Sequence, residues 1–260
     1  MERLKRPETL ALMVSYIVLV AANALGEVFR FGGVTSADVS NEVFAWFAPA
    51  GYVFTIWSVI YVGLAVWMVR LVGDKTRRAD LFGLPIGPDA MLFVVSCVLN
   101  VAWLTFWHLR VFPATVIVIV ALLAVVGTLY IRTWQRSKSW LDRAPIALYA
   151  SWLAVATVAN VAHVATRAAS GDGGLFAAVS TLVLLVLFAG ATYVVHRIFD
   201  DYVFGIVVLW AGIGIGVRLV AVSPITGVLA IVISTIGVAA ALLPWDRAFR
   251  LPQRHPARRR

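Results

Sequence analysis

The chain has 260 residues, of which 62% are hydrophobic and 13% are charged, and its mean hydropathy is +0.91. This composition excludes a water-soluble globular domain and predicts a protein that crosses a membrane several times. The net charge of +9 would suit a nucleic-acid-binding protein, but the placement of the basic residues follows membrane topology instead. We therefore expect no nucleic-acid partner.

Eight continuous apolar runs are each long enough to cross the roughly 30 Å hydrocarbon core as a helix of about 20 residues. A membrane β-strand would alternate apolar and polar residues, which these runs do not. The predicted fold class is an all-α polytopic membrane protein with about eight transmembrane helices. In chain order the runs lie near residues 9–26, 51–69, 90–109, 112–131, 145–166, 175–195, 202–220 and 224–243.

The basic residues predict the orientation of these spans. With a cytoplasmic N-terminus, 18 of the 22 Lys and Arg residues fall on the cytoplasmic side, and both termini lie there. We expect a plasma (inner) membrane protein with an uncleaved first helix, because no small-residue cleavage site follows it. Residues 244–260 are then a basic cytoplasmic tail that contacts anionic membrane lipid. The basic residues left outside are Arg30, Arg110, Arg167 and Arg218.

No span centre carries Asp, Glu, Lys or Arg, so the groups that usually couple transport to protons or sodium are missing. Cys97 is the only cysteine, which excludes an internal disulfide. No two histidines have metal-ligand spacing, and we predict no metal site. His163 is interpreted as a hydrogen-bonded or interfacial residue rather than a haem ligand.

The longest outside loop, residues 27–50, joins the first two spans and is rich in aromatic residues such as Phe44, Trp46 and Phe47. Two interpretations remain open. The aromatic residues form an interfacial belt at headgroup depth, or the loop is a lid folded over the mouth of a pocket.

Helical spacing gathers aromatic, amide and hydroxyl side chains of the second, third and fifth spans into stripes. We predict that these stripes converge on one ligand cavity in the middle to outer part of the bundle, with Asn23 of the first span nearby. The alternative is that each Asn only bonds a neighbouring helix. The candidate ligand-binding residues are Trp46, Phe54, Trp57, Tyr61, Asn100, Trp103, Tyr149, Trp152, Ala156, Thr157 and Asn160.

Three of these segments resemble the TspO/MBR family, the translocator proteins also called tryptophan-rich sensory proteins. The family's paired prolines followed by V-F-x-P-x-W-x-x-x-Y are similar to residues 49–61, its L-N-x-x-W to residues 99–103, and its P-Y-x-x-W-x-x-F-A-T-x-x-N to residues 148–160. Ala50 replaces the second proline, Val155 replaces an aromatic residue, and the first motif is one residue shorter between its Phe and its Trp.

The resemblance implies a five-helix bundle with a ligand cavity under the loop between helices one and two. Family members bind porphyrins and other flat hydrophobic ligands, some bind sterols, and some are reported to promote light-dependent porphyrin breakdown through two tryptophans. Those two positions match Trp57 and Trp152, which are the candidate catalytic residues. Whether the chain is an enzyme stays open. Porphyrin or haem is implied as a ligand, and no other cofactor is.

The resemblance covers roughly residues 10–166, so we predict a TspO-like domain over 1–166 and three additional helices over 167–243. In these added helices Gly212 and Gly216 form a close-packing face of the G-x-x-x-G type. Its partner is either another helix of the chain or a second copy in a homo-oligomer. Three function classes remain: a binding or sensory protein for a hydrophobic small molecule, which we favour, a small-solute transporter without intramembrane charges, and a membrane enzyme.

Overall fold

A computed structural model of the chain describes residues 2–73, 86–169 and 173–243. Within these residues eight helices are long and apolar enough to cross a membrane, which confirms the predicted all-α polytopic fold class. The predicted tail 244–260 lies outside the described residues, as do the basic residues Lys75, Arg77 and Arg78. The helices are α1 (Glu2–Glu27), α2 (Ser36–Ser40), α3 (Ile56–Gly73), α4 (Pro88–His108), α5 (Phe112–Arg136), α6 (Trp140–Ala168), α7 (Gly174–Phe199), α8 (Val203–Val220) and α9 (Pro224–Leu242).

Two helices begin earlier than the apolar runs predicted. α1 begins at Glu2 and contains Pro7, and α6 begins at Trp140 and contains Pro145. Proline is most common in the first turn of a helix, so the sequence pattern favoured later starts. In α6 the proline lies at the crossing with α3, where a Cβ added to Gly63 would lie 3.3 Å from the Cβ of Pro145.

The helix pairing leaves a gap near the end of the bundle where α1 ends. α1 packs mainly on α4, and α3 packs mainly on α6, whereas α1 and α3 touch each other little. α5 fills the space beside α4 and α6, and α8 packs on α6. The gap between α1 and α3 is covered from outside by the loop that connects them, which contains α2 and a short 3₁₀ turn, Gly51–Thr55.

The glycines of α8 pack against α9 of the same chain. A Cβ added to Gly212 would lie 2.0 Å from Oγ of Ser234, and one added to Gly216 would lie 2.8 Å from the carbonyl oxygen of Gly227. Only glycine allows the two helices to approach this closely. The partner of the predicted close-packing face is therefore an intrachain helix.

Ionic contacts lie at the two ends of the bundle. At one end Asp89 accepts hydrogen bonds from Arg132, at 2.7 Å, and from Arg136. At the other end Glu42 pairs with Arg110, at 2.5 Å, and with Arg167, at 3.7 Å. The ion pairs thus lie at opposite ends of the helices. A membrane-spanning bundle requires this placement, because charges are costly in the hydrocarbon region.

Candidate functional site

A cavity of about 390 Å³ opens between α1 and α3 beneath the loop. Asn23 and Glu27 line it from α1, Trp57 and Tyr61 from α3, and Trp103 from α4. Loop residues around α2 and the 3₁₀ turn complete its roof. We call this cavity the outer chamber. Its volume lies within the range of about 300–1,000 Å³ that is usual for small-molecule sites.

A second space of about 40 Å³, which we call the inner chamber, lies between α4 and α6 beneath the same loop, with Ser40 and Pro49 in its lining. The two chambers share three aromatic side chains. The inner one is also lined by Trp107, Trp152, Ala156 and Asn160. Its volume suits little more than a water molecule, so a larger ligand reaches it only if the shared rings rotate. The shared residues are Phe54, Trp57 and Trp103.

Aromatic rings form the wall between the chambers. The Trp57 ring stacks on Tyr61, with centroids 5.7 Å apart, and meets Trp152 edge to face at 6.2 Å. Phe54 also meets Trp152 edge to face, at 6.2 Å. Offset and edge-to-face pairs are the favourable aromatic arrangements, so these rings hold one another in a defined geometry and present flat apolar faces to the cavity.

Two asparagines of the predicted cluster connect helices. Asn23 donates through Nδ2 to Oδ1 of Asn100 at 3.1 Å, and Asn100 donates to the hydroxyl of Tyr149 at 3.4 Å. Both polar atoms of the Asn100 side chain are therefore used in hydrogen bonds to neighbouring helices. The hydroxyl of Thr157 donates to the carbonyl of Leu153 in its own helix, at 2.7 Å.

Four buried polar atoms around the two chambers have no hydrogen-bond partner among the residues that the structure describes. They are the hydroxyl of Tyr61, the indole Nε1 atoms of Trp103 and Trp152, and Oδ1 of Asn160. Asn160 uses its Nδ2 to bond Thr115 at 3.0 Å, which leaves only the oxygen unused. Buried polar groups are normally satisfied, so these four atoms could bond polar atoms of a ligand if neighbouring side chains moved.

Two aromatic residues of the loop favour the lid interpretation. Trp46 and Phe47 are buried, and the ring of Phe47 stacks on Phe188 of α7 with centroids 6.0 Å apart. The indole of Trp107 donates to the carbonyl of Ser36 at 3.1 Å, which fastens α2 to α4. Arg218 of α8 donates to a loop carbonyl at 3.3 Å. These contacts tie the loop to three different helices.

α8 positions the 3₁₀ turn from which α3 and its aromatic residues start. The amide of Ala50 donates to the carbonyl of Gly214 at 3.0 Å, and the indole of Trp210 donates to the carbonyl of Val53 at 3.2 Å. A Cβ on Gly214 would lie 2.1 Å from Cγ2 of Val53. α8 thus contacts the site directly through a close approach that glycine permits.

The structure brings most of the predicted residues together around the chambers. Trp46, Asn100, Tyr149 and Thr157 lie outside the described lining of both. The predicted residues that line at least one chamber are Phe54, Trp57, Tyr61, Trp103, Trp152, Ala156 and Asn160.

Several lining residues were not predicted, among them Trp107, Glu27 and Ser36. Trp107 follows Trp103 by four positions and shares its helix face, so helical spacing could have identified it. No pattern in the sequence indicates Glu27 or Ser36 as a lining residue. His163 packs against the rings of Trp107 and Phe112, with centroids 4.9 Å from each, and so supports the wall of the inner chamber.

The chain is similar to a protein family over most of its length. The family model described as TSPO-like protein matches residues 9–243, a range that extends from α1 through α9. No curated protein and no solved structure gives a significant match.

Proposed function

The chain belongs to the TSPO-like family, and we propose that it is a membrane binding protein for a flat hydrophobic ligand such as a porphyrin. The observation that carries this proposal is the outer chamber, about 390 Å³ in volume and walled by Trp57, Tyr61 and Trp103. A tetrapyrrole is a broad apolar ring, and indole and phenol faces offer it stacking area.

The residues of the inner chamber suit the edge of a tetrapyrrole ring. Ala156 leaves room beside Trp152 in the inner chamber, and Asn160 offers an unused oxygen to a polar substituent. Rotation of the Trp57 ring would join the two chambers. The ligand would then lie between α3, α4 and α6 with the loop as its roof.

In this proposal the ligand enters through the gap between α1 and α3, on a side of the bundle that the hydrocarbon region of the membrane would cover. An apolar ligand that is dissolved in the bilayer would enter there without crossing water. Toward the other end of the bundle, Leu64, Trp67 and Phe93 are fully buried and fill the space between the helices. This arrangement favours binding over transport, since passage would require those side chains to move.

Light-dependent porphyrin breakdown is a second part of the proposal, and Trp57 and Trp152 would carry it. Their rings lie 6.2 Å apart and both would contact a ring bound between the chambers. One indole would donate an electron to the photoexcited porphyrin, which gives an indole radical cation and a reduced porphyrin radical. Dioxygen would add to the porphyrin radical, and one electron would return from this adduct to the indole radical cation. The indole would then be restored, and the net change would be addition of one dioxygen to the porphyrin, followed by cleavage of the ring.

The test is an equilibrium titration of the purified protein with protoporphyrin, followed by the porphyrin absorption band. We expect saturable binding that is weakened about three- to tenfold by Trp57→Phe, Trp152→Phe or Asn160→Ala. Trp140→Phe is the matched control, because Trp140 is 71% exposed at the far end of α6.

Two outcomes would contradict the proposal. Absence of saturable binding, or binding that ignores all three variants of lining residues, would remove the proposed site. Illuminated turnover that survives replacement of both Trp57 and Trp152 by Phe would remove their role in breakdown while leaving the binding proposal in place.

A further inference from the structure

A third cavity, of about 330 Å³, opens at the end of the bundle opposite the outer chamber. Its walls are the last turns of α3, the end of α5 and the start of α6. Arg70 and Arg136 line it, and Asp142 is the only carboxylate in its described lining. We call this cavity the basic pocket. It shares no described lining residue with the two chambers beneath the loop.

Positive charge is in excess around the basic pocket. Arg70 donates through Nε to Asp142 at 2.5 Å. Asp89, which is 3% exposed, accepts hydrogen bonds from both Arg132 and Arg136. The pocket and these ion partners thus combine three arginines with two carboxylates, which is an excess of one positive charge among the described groups.

The arginines of the basic pocket suit a phosphate group. In hydrogen bonds between described residues Arg136 uses Nη1 alone, so its Nε and Nη2 can donate to an anion. Guanidinium groups bind phosphate oxygens through charge-assisted hydrogen bonds, often two at a time. The side chains of Arg70 and Arg136 are 38% and 32% exposed, so an anion in the pocket can reach both.

An apolar groove of about 360 Å³ lies between α3, α6 and α8. Val59, Val62 and Val66 line it from α3, and Ile206 lines it from α8. Apart from the indole of Trp140, its described lining contains no side chain with a nitrogen or oxygen atom. The three valines extend over about 10 Å of helix and are exposed on the surface of the bundle. The groove is therefore open to the hydrocarbon region and long enough for part of an acyl chain.

The basic pocket and the apolar groove adjoin on two helices. On α3, Arg70 of the pocket follows Val66 of the groove by four positions and lies on the same face. On α6, Asp142 of the pocket directly follows Leu141 of the groove. The hydrogen bond from Arg70 to Asp142 therefore lies where the two cavities meet. A molecule with an anionic head and an apolar chain matches this arrangement.

We propose that the basic pocket and the apolar groove together bind one anionic phospholipid, with its phosphate at Arg70 and Arg136 and one acyl chain in the groove. Basic pockets between transmembrane helices at the cytoplasmic side bind anionic headgroups in other membrane proteins. The distribution of Lys and Arg predicts that this end of the bundle is cytoplasmic. The lipid site is separate from the proposed porphyrin site, so either proposal can fail without the other.

The experiment titrates the delipidated protein, in a neutral detergent, with dioctanoyl phosphatidylglycerol and counts bound lipids by native mass spectrometry. Two other ligands are compared. Dioctanoyl phosphatidylcholine has the same chains but no net charge, and inorganic phosphate has no chain. We expect phosphatidylglycerol to bind at least about threefold more tightly than phosphatidylcholine. Inorganic phosphate at the same concentration should not displace it.

Arg70→Gln tests the contact with the headgroup. Glutamine keeps a hydrogen-bonding side chain but has no charge, so the affinity for phosphatidylglycerol should fall about three- to tenfold. The affinity for phosphatidylcholine should change less than about twofold. Arg110→Gln is the matched control, because Arg110 is 40% exposed and pairs with Glu42 at 2.5 Å at the opposite end of the bundle. This control should leave both affinities unchanged.

Val62→Trp tests the contact with the acyl chain. Val62 is 66% exposed and lines the groove, whereas Val69, on the same helix, is 67% exposed and lies outside the groove's described lining. An indole at position 62 would occupy the groove and weaken phosphatidylglycerol binding about three- to tenfold. Val69→Trp should bind this lipid like wild type.

Equal affinity of wild type for the two phospholipids would overturn this inference, as would equal losses in Arg70→Gln and Arg110→Gln. Equal binding by the two tryptophan variants would exclude a single lipid that occupies both cavities. Displacement of the lipid by inorganic phosphate at the same concentration would assign the pocket to free phosphate instead. If Arg70→Gln does not fold, the tryptophan pair and the comparison of headgroups in wild type still decide.

Discussion

The amide of Ala50 donates a hydrogen bond to the carbonyl of Gly214 at 3.0 Å, and this contact joins α8 to the turn that begins the aromatic helix α3. A side chain at position 214 would have to occupy space that Val53 and Pro49 already fill. The position of the chamber wall therefore depends on α8, which contributes no residue to the described lining of either chamber.

Gly214→Ala should displace the 3₁₀ turn and with it Phe54 and Trp57. The added Cβ would lie 2.1 Å from Cγ2 of Val53, and overpacking of this kind costs about 1–3 kcal/mol of stability. We expect a lower unfolding temperature in detergent and weaker porphyrin binding. Thermal unfolding measures the first effect, and a protoporphyrin titration measures the second.

Gly190→Ala is the control for that prediction. A Cβ at Gly190 meets nothing within 4 Å, and alanine favours a helix over glycine by about 1 kcal/mol. This variant should be as stable as wild type or more so and should bind ligand normally. Equal behaviour of the two alanine variants would show that α8 does not position the turn.

The Asn23 and Asn100 side chains should be energetically coupled. Each single change to Ala is expected to destabilise the protein by about 1 kcal/mol, because the remaining amide loses its partner. In the double variant the losses should not add, and a coupling of about 0.5–1.5 kcal/mol should appear in a double-mutant cycle. Additive losses would mean that the 3.1 Å contact contributes nothing measurable.

Glu42→Gln should loosen the loop without unfolding the bundle. Glu42 pairs with both Arg110 and Arg167, and exposed ion pairs contribute at most about 1 kcal/mol each to stability. We expect amide hydrogen exchange over residues 36–48 to rise about three- to tenfold, while exchange in α4 stays as in wild type. Unchanged exchange in the loop would show that its buried aromatic residues hold it without the ion pairs.

Asp201 should make stability depend on pH. It lies between α7 and α8, and burial raises its pKa above 3.8 although Tyr130 and Val203 donate hydrogen bonds to it. Because the pKa of Asp201 is higher in the folded state than in the unfolded state, protonation of Asp201 stabilises the fold. This contribution to stability is complete below the unfolded-state pKa, and it is lost as the pH rises through the folded-state pKa.

The measurement for Asp201 is the unfolding temperature of wild type minus that of Asp201→Asn, from about pH 8 to about pH 4. This difference should increase as the pH falls, because asparagine does not titrate. A difference that decreases toward low pH would contradict the assigned direction of the pKa.

The helices and most of the chamber wall were predictable because they rest on local patterns. Apolar length identified all eight spans, and spacing of three and four residues placed Trp57 with Tyr61 and Trp152 with Ala156 on common faces. The same rule extends to Trp107. These relationships lie within single helices, where sequence distance determines spatial distance.

Other features depended on tertiary packing and could not be predicted. The two interpretations of the loop were equally compatible with the sequence, and only the burial of Trp46 and Phe47 distinguishes them. The contact of Gly214 with Val53 joins residues 161 positions apart, so no periodicity could indicate it. The division of the chain into domains 1–166 and 167–243 stays a prediction, and the family match spans both parts.

The most direct test of the account fills the outer chamber. Ala24 lines this chamber from α1, whereas Val18, on the same helix, is 50% exposed and lies outside the chamber's described lining. The variants Ala24→Phe and Val18→Phe each add one phenyl ring to α1, the first inside the chamber and the second outside it. Both variants and wild type are titrated with protoporphyrin. The account predicts that Ala24→Phe loses binding by at least about tenfold and that Val18→Phe binds like wild type. Wild-type binding by a folded Ala24→Phe protein would contradict the assignment of the ligand to this cavity.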